Sequence, residues 1–247
     1  MISKLRRYFA ASQFDPGFLG IWINPFFLAR RGLWQEIRAA SRLLAGDLLD
    51  VGCGTKPYQR LFAVRSYTGL EFDTPAARKR DVADAYYDGS AFPFGVRQFD
   101  SVLCNQVLEH VFKPEDFLRE IHRVLKPGGK LLLTVPFIWD EHEQPYDFAR
   151  YTSFGLRAML ERNGFRIERQ EKILADASVL FQLTNAYLFK VTETRFVVLK
   201  LLLRVFVFAP VTLLGLLAGR LLPNNKDMFL DQLVVAERTS DAAGGDA

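Results

Sequence analysis

The chain has 247 residues, 49% of them hydrophobic, so it can bury a full core as one large domain or as one domain with an insertion. Its 32 basic and 28 acidic residues leave a net charge of +4, which is too balanced to indicate a nucleic-acid partner. Cys53 and Cys104 end apolar runs without nearby His or Cys partners, and no secretory signal follows Met1, so we expect buried thiols, no metal site and a cytoplasmic location.

Strands and helices alternate along most of the chain. The first helix is expected from Gly32 to Leu44, with Gly46 at its end, and two more are expected over 114–125 and 152–163. Short apolar runs predict strands at 48–52, 66–72, 82–87, 99–104, 130–135, 165–170 and 229–236. This alternation predicts a mostly parallel sheet covered on both faces, with ligands bound beyond the carboxyl ends of its strands.

The turn after the first predicted strand combines glycines with an acid. Gly52 and Gly54 allow a tight turn beneath a ligand, and the segment from Tyr58 onward is expected to begin a helix. The dinucleotide fingerprint needs a third glycine, but Pro57 stands there, which argues against an NAD-dependent oxidoreductase. Because Asp50 suits a cation better than a pyrophosphate, the turn favours the cationic nucleoside S-adenosylmethionine. An ordinary strand-to-helix turn is the alternative.

Six segments together resemble the class I S-adenosylmethionine-dependent methyltransferases of the methyltransferase type 11 kind. They are Leu49–Gly54, Gly69–Asp73, Asp88–Phe94, Phe99–Cys104, Val107–Val111 and Val124–Gly129. The resemblance implies a Rossmann-like, doubly wound α/β sheet of about seven strands, mostly parallel with an antiparallel last strand. It also implies that S-adenosylmethionine is the cofactor.

The same resemblance assigns cofactor contacts to individual residues. The turn with Asp50 would lie against the methionyl part, Glu71 would accept the ribose hydroxyls, and Asp88 would accept the adenine amino group, unless these last two are only solvated loop acids. Cys53 is expected to be small and buried within the turn, and His110 and His122 to be structural. The expected cofactor-binding set is Asp50, Gly52, Cys53, Gly54, Tyr58, Glu71, Asp88, Gly89, Asn105 and Gln106.

The loop from Pro136 to Thr152 is too long and too rich in aromatic and charged residues for a simple connection. His142 is the candidate general base or orienting group. The candidate acceptor-positioning residues are Tyr146, Asp147, Arg150 and Tyr151. In the alternative interpretation, the segment from Tyr146 to Thr152 only caps and anchors the next helix, with Thr152 or Ser153 at the cap. The loop resembles a subset of bacterial methyltransferases linked with surface polysaccharide or lipid-linked substrates.

An apolar helical insertion is predicted over 174–227, and Phe196–Leu222 is its most apolar part. A single membrane crossing would leave the last strand on the wrong side, and a two-span hairpin needs about 40 residues. We therefore expect 194–224 to lie in an anionic membrane interface, or to dip in and return at Pro210, with basic residues at the headgroups. A substrate lid, a helical cap or a homodimer contact is the alternative.

The predicted organisation is an N-terminal aromatic segment and helix (1–46), a cofactor-binding core (47–173), the insertion (174–227), a last core strand (228–238) and a disordered tail (239–247). The expected function is methyl transfer to a small-molecule or lipid-linked, glycan or quinone-like acceptor, with the protein cytoplasmic or peripheral on the inner membrane face. The alternatives are a soluble small-molecule methyltransferase and a non-catalytic, cofactor-binding membrane scaffold.

Overall fold

The computed structural model describes residues 12–239, so all but the first residue of the predicted tail lies outside the described chain. Two compact units are present. Among the described residues, one comprises 12–36, 138–140 and 172–231, and the other comprises 37–137, 141–171 and 232–239.

The second unit is built on a seven-stranded sheet. Its strands are β1 (Asp47–Val51), β2 (Ser66–Phe72), β3 (Ala85–Tyr87), β4 (Phe99–Asn105), β5 (Leu125–Pro136), β6 (Phe165–Ile173) and β7 (Asp231–Arg238). The spatial order is β3-β2-β1-β4-β5-β7-β6, with β1 to β5 parallel and the end of the chain antiparallel. The predicted Rossmann-like fold with an antiparallel last strand is therefore confirmed.

The register of the sheet fixes where a ligand is expected to bind. In β1, Asp50 lies opposite Gly69 of β2 on one side and Leu103 of β4 on the other. The strand order reverses between β1 and β4, so the carboxyl ends of these two strands border the crevice of a doubly wound sheet. The turn at Gly52, which follows β1, and the polar pair Asn105 and Gln106, at the end of β4, therefore lie at the same edge of the sheet.

The helices differ from the predicted ones in their bounds. They are α1 (Gly20–Ile23), α2 (Phe27–Ala40), α3 (Pro75–Arg80), α4 (Pro114–Val124), α5 (Ser153–Arg162), α6 (Ser178–Val191), α7 (Val197–Leu203) and α8 (Ala209–Leu221). The expected helix after Tyr58 is wrong: a single 3-10 turn forms there, and the backbone is extended again at Phe62. Residues 126–129, which follow the helix predicted over 114–125, lie within β5, where the register with β4 shifts from Phe99 opposite Leu125 to Ser101 opposite Lys130.

The core of the second unit lies between the sheet and helices α4 and α5. Leu118, Ile121 and Val124 form the buried face of α4, and Leu156 and Leu160 that of α5. Their spacing of three and four residues places each set on one helix face. This packing anchors the chain on both sides of the loop that follows β5.

The first unit contains a long helical hairpin. Helices α7 and α8 are joined by a π-helical stretch, Arg204–Phe208, into one helix of 25 residues from Val197 to Leu221. It is long and apolar enough to cross a membrane, the one such helix within residues 12–239. The expected return at Pro210 is wrong, because this proline lies at the start of α8, where the preceding π turn accommodates its missing N–H.

Helix α8 packs on α6 through small and polar residues. The Asn185 side chain donates to Thr212 Oγ1 over 2.9 Å, and both side chains are buried. At Gly215, a Cβ would lie 2.8 Å from Cβ of Phe181, so only glycine allows this close approach. These contacts pair the start of α6 with the end of α8, so the end of α6, the connecting residues and α7 form the far end of the hairpin.

Candidate functional site

The turn after β1 is held by backbone hydrogen bonds to the neighbouring strand. The N–H groups of Gly52 and Cys53 both donate to the Leu70 carbonyl, over 2.8 and 3.1 Å. Gly52 has φ +71°, and a Cβ there would lie 2.4 Å from Val107 Cγ2. The left-handed backbone and the close packing both require glycine, as the sequence predicts for this turn.

Gly54 and Glu71 connect the turn to the end of β2. The Gly54 N–H donates to Glu71 Oε2 over 2.7 Å, and Arg80 lies 3.9 Å from the same oxygen. A Cβ at Gly54 would meet no atom of the described chain within 4 Å, so this glycine borders open space. The predicted ribose-binding acid therefore lies beside an open stretch of backbone, as a nucleoside site needs.

Asp50 is buried, with 4% of its surface exposed, and the Tyr67 hydroxyl donates to its Oδ2 over 2.6 Å. Burial raises the pKa of the Asp50 carboxyl to about 7, the nearby Glu71 adds to the rise, and the Tyr67 hydrogen bond opposes it. The acid is thus partly neutral near pH 7 and lies under the turn's backbone rather than on its surface. A cation close to this position would favour its charged form.

Two further residues of the predicted cofactor set are buried. The side chains of Cys53 and Tyr58 are both 2% exposed, and burial raises the pKa of the Cys53 thiol to about 12. Their side chains support the turn from inside. Contact with a cofactor at these positions, which stays a prediction, would use the backbone.

An aromatic series flanks the predicted adenine-binding residues. Asp88 follows β3, is exposed, and its Oδ1 accepts the Ser90 N–H over 3.0 Å. The Ser90 hydrogen bonds lower the pKa of the Asp88 carboxyl. Gly89 has φ +93°, and a Cβ there would lie 3.1 Å from the ring of Phe72, which is half-exposed. Phe72 makes an edge contact with Tyr87, so an aromatic surface suited to a base lies next to Asp88.

The residues after β4 are oriented by a threonine that the sequence analysis missed. Thr134 of β5 is fully buried, and its hydroxyl donates to Asn105 Oδ1 over 2.8 Å. The Gln106 N–H donates to the Thr134 carbonyl over 3.0 Å, with Gln106 at φ +55°. In the sequence, Thr134 is a polar residue within the apolar run of β5, and this was the signal that could have indicated its role.

Lys56 and Asp84, which were not among the residues predicted from the sequence, also support the turn. Lys56 Nζ lies 2.6 Å from Asp84 Oδ2, and the same carboxylate accepts the Gly69 N–H over 2.6 Å. Burial acts to raise the pKa of Asp84, but the Gly69 and Lys56 hydrogen bonds outweigh it, and the pKa is lowered. Lys56 thereby ties the loop to β2.

The loop after β5 orders its polar residues around Asp147. Arg150 forms a bidentate ion pair with this carboxylate, with N–O distances of 2.6 and 2.7 Å. His142 approaches it with its backbone N–H at 3.0 Å and with Nδ1 at 3.2 Å. The Arg150 guanidinium holds the pKa of Asp147 well below its ordinary value, so the carboxylate is ionised and fixes the His142 ring.

Of the two remaining residues predicted to position the acceptor, Tyr146 and Tyr151, one is exposed and the other is buried. Tyr146 is exposed, whereas Tyr151 is buried with its hydroxyl 3.5 Å from the Leu108 carbonyl, and burial raises the pKa of Tyr151 to about 12. Thr152 caps α5 by accepting the Gly155 N–H. The capping interpretation thus holds for Thr152, and the acceptor-positioning role of the other loop residues stays a prediction.

His110, expected to be structural, lies against His142. Their rings meet edge to face with centroids 4.8 Å apart, and His110 Nδ1 lies 2.7 Å from the Tyr146 carbonyl. The neighbouring Glu109 has no exposed surface. Its Oε1 lies 3.8 Å from His110 Nε2, so an acid and two imidazoles converge where the sequence analysis placed only His142.

Residues 49–133 match a family model described as a methyltransferase domain. The ubiquinone biosynthesis O-methyltransferase of Pseudomonas paraeruginosa is 37% identical over 125 residues, which cover 45% of this chain and 51% of that protein. The fatty-acid O-methyltransferase of Mycolicibacterium smegmatis is 34% identical over 114 residues, 41% of each chain. This chain therefore spans about half the length, or less, of these curated relatives.

A solved structure shows the same fold over most of the chain. It is the S-adenosylmethionine-dependent methyltransferase from Mesorhizobium loti, with a TM-score of 0.54 and 18% identity, covering 85% of this chain and all of that one (100%). At this identity the likeness is one of fold. The segment that matches the family model contains most of β1, all of β2 to β4 and most of β5, and with them the turn, Glu71, Asp88 and the Asn105–Gln106 pair.

Proposed function

We propose that this chain, whose residues 49–133 match a methyltransferase domain, transfers the methyl group of S-adenosylmethionine to a lipid-linked, glycan or quinone-like acceptor at the inner face of a membrane. The observation that carries the transferase part is the open backbone at Gly54 beside Glu71. The two matched relatives are named for a ubiquinone-pathway and a fatty-acid O-methylation, which supports an acceptor with an apolar part.

The donor side is built from acids that suit a cationic nucleoside. Asp50 lies under the turn, Glu71 ends β2 and Asp88 follows β3, at the carboxyl ends of three adjacent parallel strands. A sulfonium and an amino group favour such an acidic edge, and a pyrophosphate does not. The ribose hydroxyls would use Glu71, and adenine would use Asp88 and the Phe72 surface.

The acceptor side would be formed by the loop after β5, which leaves the sheet at the same edge. Methyl transfer is an in-line displacement, so alignment of nucleophile, methyl carbon and sulfur in a water-poor site supplies much of the rate. Asp147 holds the His142 ring in one orientation, and the exposed Tyr146 stands next to it in the loop. These residues would orient the acceptor atom.

The far end of the helical hairpin supports the membrane part of the proposal. Val197 is 80% exposed, and Val198 and Phe206 are each 71% exposed. In the most apolar stretch of 18 residues within this helix, 22% is buried. Lys200 and Arg204 lie on the same stretch. Exposed apolar side chains alternating with cations are typical of a segment that enters the interface of an anionic bilayer.

The sheet argues for shallow insertion rather than a crossing. Strand β6 precedes the hairpin, β7 follows it, and the two are neighbours in one sheet. Both ends of the hairpin must therefore stay on the same side of the membrane. A hairpin whose far end enters one leaflet satisfies this condition, and one crossing helix does not.

Calorimetric titration of the intact protein tests the donor. We expect heat with S-adenosylmethionine and none with NAD. Absence of heat with S-adenosylmethionine at millimolar concentration would refute the proposed transferase.

Flotation on vesicles tests the membrane part. The intact protein should float with vesicles containing phosphatidylglycerol, and the variant Val197→Ser/Val198→Ser/Phe206→Ser should not. Phe154→Ser, which changes an 82% exposed phenylalanine in α5, is the matched control and should float. If the native protein instead stays in the soluble fraction as a dimer, and the triple variant is a monomer, the surface is a homodimer contact.

A further inference from the structure

We propose that Glu109, His110 and His142 bind one divalent transition-metal ion of the zinc type. Their ligand atoms, one per residue, all lie within 4.8 Å of one another. Two imidazole nitrogens and one carboxylate oxygen form a ligand set that zinc uses in catalytic sites, where a fourth position stays open. No metal site was expected from the sequence, where only the two cysteines were considered as ligands; these three residues come from two separate segments of the chain that meet in the fold.

Both imidazoles are oriented for ligation through Nε2. The Tyr146 carbonyl and the Asp147 carboxylate, which lie 2.7 and 3.2 Å from the Nδ1 atoms of His110 and His142, can only accept hydrogen bonds. Each Nδ1 therefore carries the hydrogen, and in the neutral ring the lone pair is on Nε2. Such partners behind a histidine are the usual support of a metal site, since they fix the tautomer and the ring plane.

Glu109 supplies the charge. Its side chain has no exposed surface, and its carboxylate lies at 3.8 Å from His110 Nε2, within reach of an ion pair but beyond a hydrogen bond. A cation bound between the carboxylate and the imidazoles would compensate the cost of burying this charge. The Glu109 carbonyl accepts the Phe148 N–H over 2.8 Å, so the loop bearing His142 is tied to the Glu109 segment.

The distances fit an ion after a small adjustment. Donor atoms at about 2.1 Å from a tetrahedral ion are about 3.4 Å apart. A separation of up to 4.8 Å must therefore shorten by at most about 1.4 Å. His142 lies in a loop without helix or strand, so a shift of this loop segment that keeps the Asp147 contact achieves this.

The ion would also define a role within the proposed methyl transfer. Its open position would take an oxygen of the acceptor, a hydroxyl or a phosphate, beside the donor site. His142 would then orient the acceptor through the ion. This role rests on the proposed function, whereas the ion site itself does not.

Zinc binding by the intact, chelator-stripped protein tests the site. Equilibrium dialysis against micromolar Zn²⁺ should give one ion per chain for the native protein, and His142→Ala should weaken binding at least tenfold. His122→Ala is the matched control. His122 is the remaining one of the chain's three histidines and lies outside the cluster, where it packs on Phe165 with ring centroids 5.5 Å apart. It should bind as the native protein does.

A second variant and a second reading guard against misfolding. Glu109→Gln should also lose the ion, and a thermal melt shows whether this buried change leaves the protein folded. Cobalt(II) should give visible bands with the native protein and His122→Ala and not with His142→Ala. Two results would overturn the site: equal zinc binding by the native protein and His142→Ala, or a native protein that does not bind one zinc ion per chain.

Calorimetry with S-adenosylmethionine on the same samples separates this inference from the proposed function. Cofactor binding without zinc binding overturns the metal site alone. Zinc binding without cofactor binding keeps the site and removes the transferase.

Discussion

Replacing Asp50 by asparagine should change how the stability of this protein depends on pH. The carboxyl has a pKa raised from 3.8 to about 7, chiefly because it is buried. The unfolded chain therefore releases this proton at lower pH than the folded one, and folding loses stability as pH rises from about 4 to about 7. At about 1.4 kcal/mol for each pH unit, the full loss is about 4 kcal/mol, of which about 3 kcal/mol falls between pH 5 and pH 8.

Urea unfolding followed by far-ultraviolet circular dichroism, without cofactor, measures this effect. Relative to the native protein, Asp50→Asn should gain about 3 kcal/mol of unfolding free energy between pH 5 and pH 8, because the amide has no proton to lose. Asp88→Asn is the control. The pKa of Asp88 is lowered below 3.8, so this carboxyl is ionised in both states above pH 5. Its difference from the native protein should therefore stay constant over the same range.

A constant difference between the native protein and Asp50→Asn from pH 5 to pH 8 would refute the reasoning. It would mean that the carboxyl is solvated, or that a cation compensates it, in the protein without cofactor. The description of Asp50 as a buried acid beneath the turn would then be wrong.

Three other predictions concern the site. Glu71→Gln should raise the dissociation constant for S-adenosylmethionine by about tenfold or more in calorimetry, because it removes a charged acceptor from the proposed ribose contact, and an unchanged constant would contradict that contact. Gly52→Ala should lower the unfolding free energy by about 2 kcal/mol in urea titrations, and adding Val107→Ala should recover only the part due to the clash, so full recovery would exclude backbone strain. Asp147→Asn should cost about 3 kcal/mol in the same assay, since it breaks a bidentate pair of which this partner is 4% exposed, and a change below 0.5 kcal/mol would place the pair in solvent.

Local chemistry allowed the donor half of the site to be predicted from sequence. Short strands with acids near or just beyond their ends, and glycines where the backbone needs positive φ, are encoded within short segments. The positions of Gly52, Glu71 and Asp88 after adjacent strands followed from them. Their contacts with the cofactor stay predictions, which the titrations above test.

The helix bounds and the hairpin were less predictable. A short apolar stretch after Tyr58 has the composition of a helix, but the chain becomes extended at Phe62, three residues after Gln59 begins the single turn. Pro210 has the appearance of a turn, but the π stretch before it keeps the helix continuous.

The alternation of strands and helices, the acidic glycine turn and the apolar insertion could be predicted from the sequence alone, because each depends on residues close together in the chain. The fold was needed to find that Asp50 is covered by Tyr67, that Thr134 orients Asn105, and that His110 and Glu109 meet His142. These groups are separated by 17 to 33 residues along the chain, and the sheet and its loops bring them within hydrogen-bond or ligand distance.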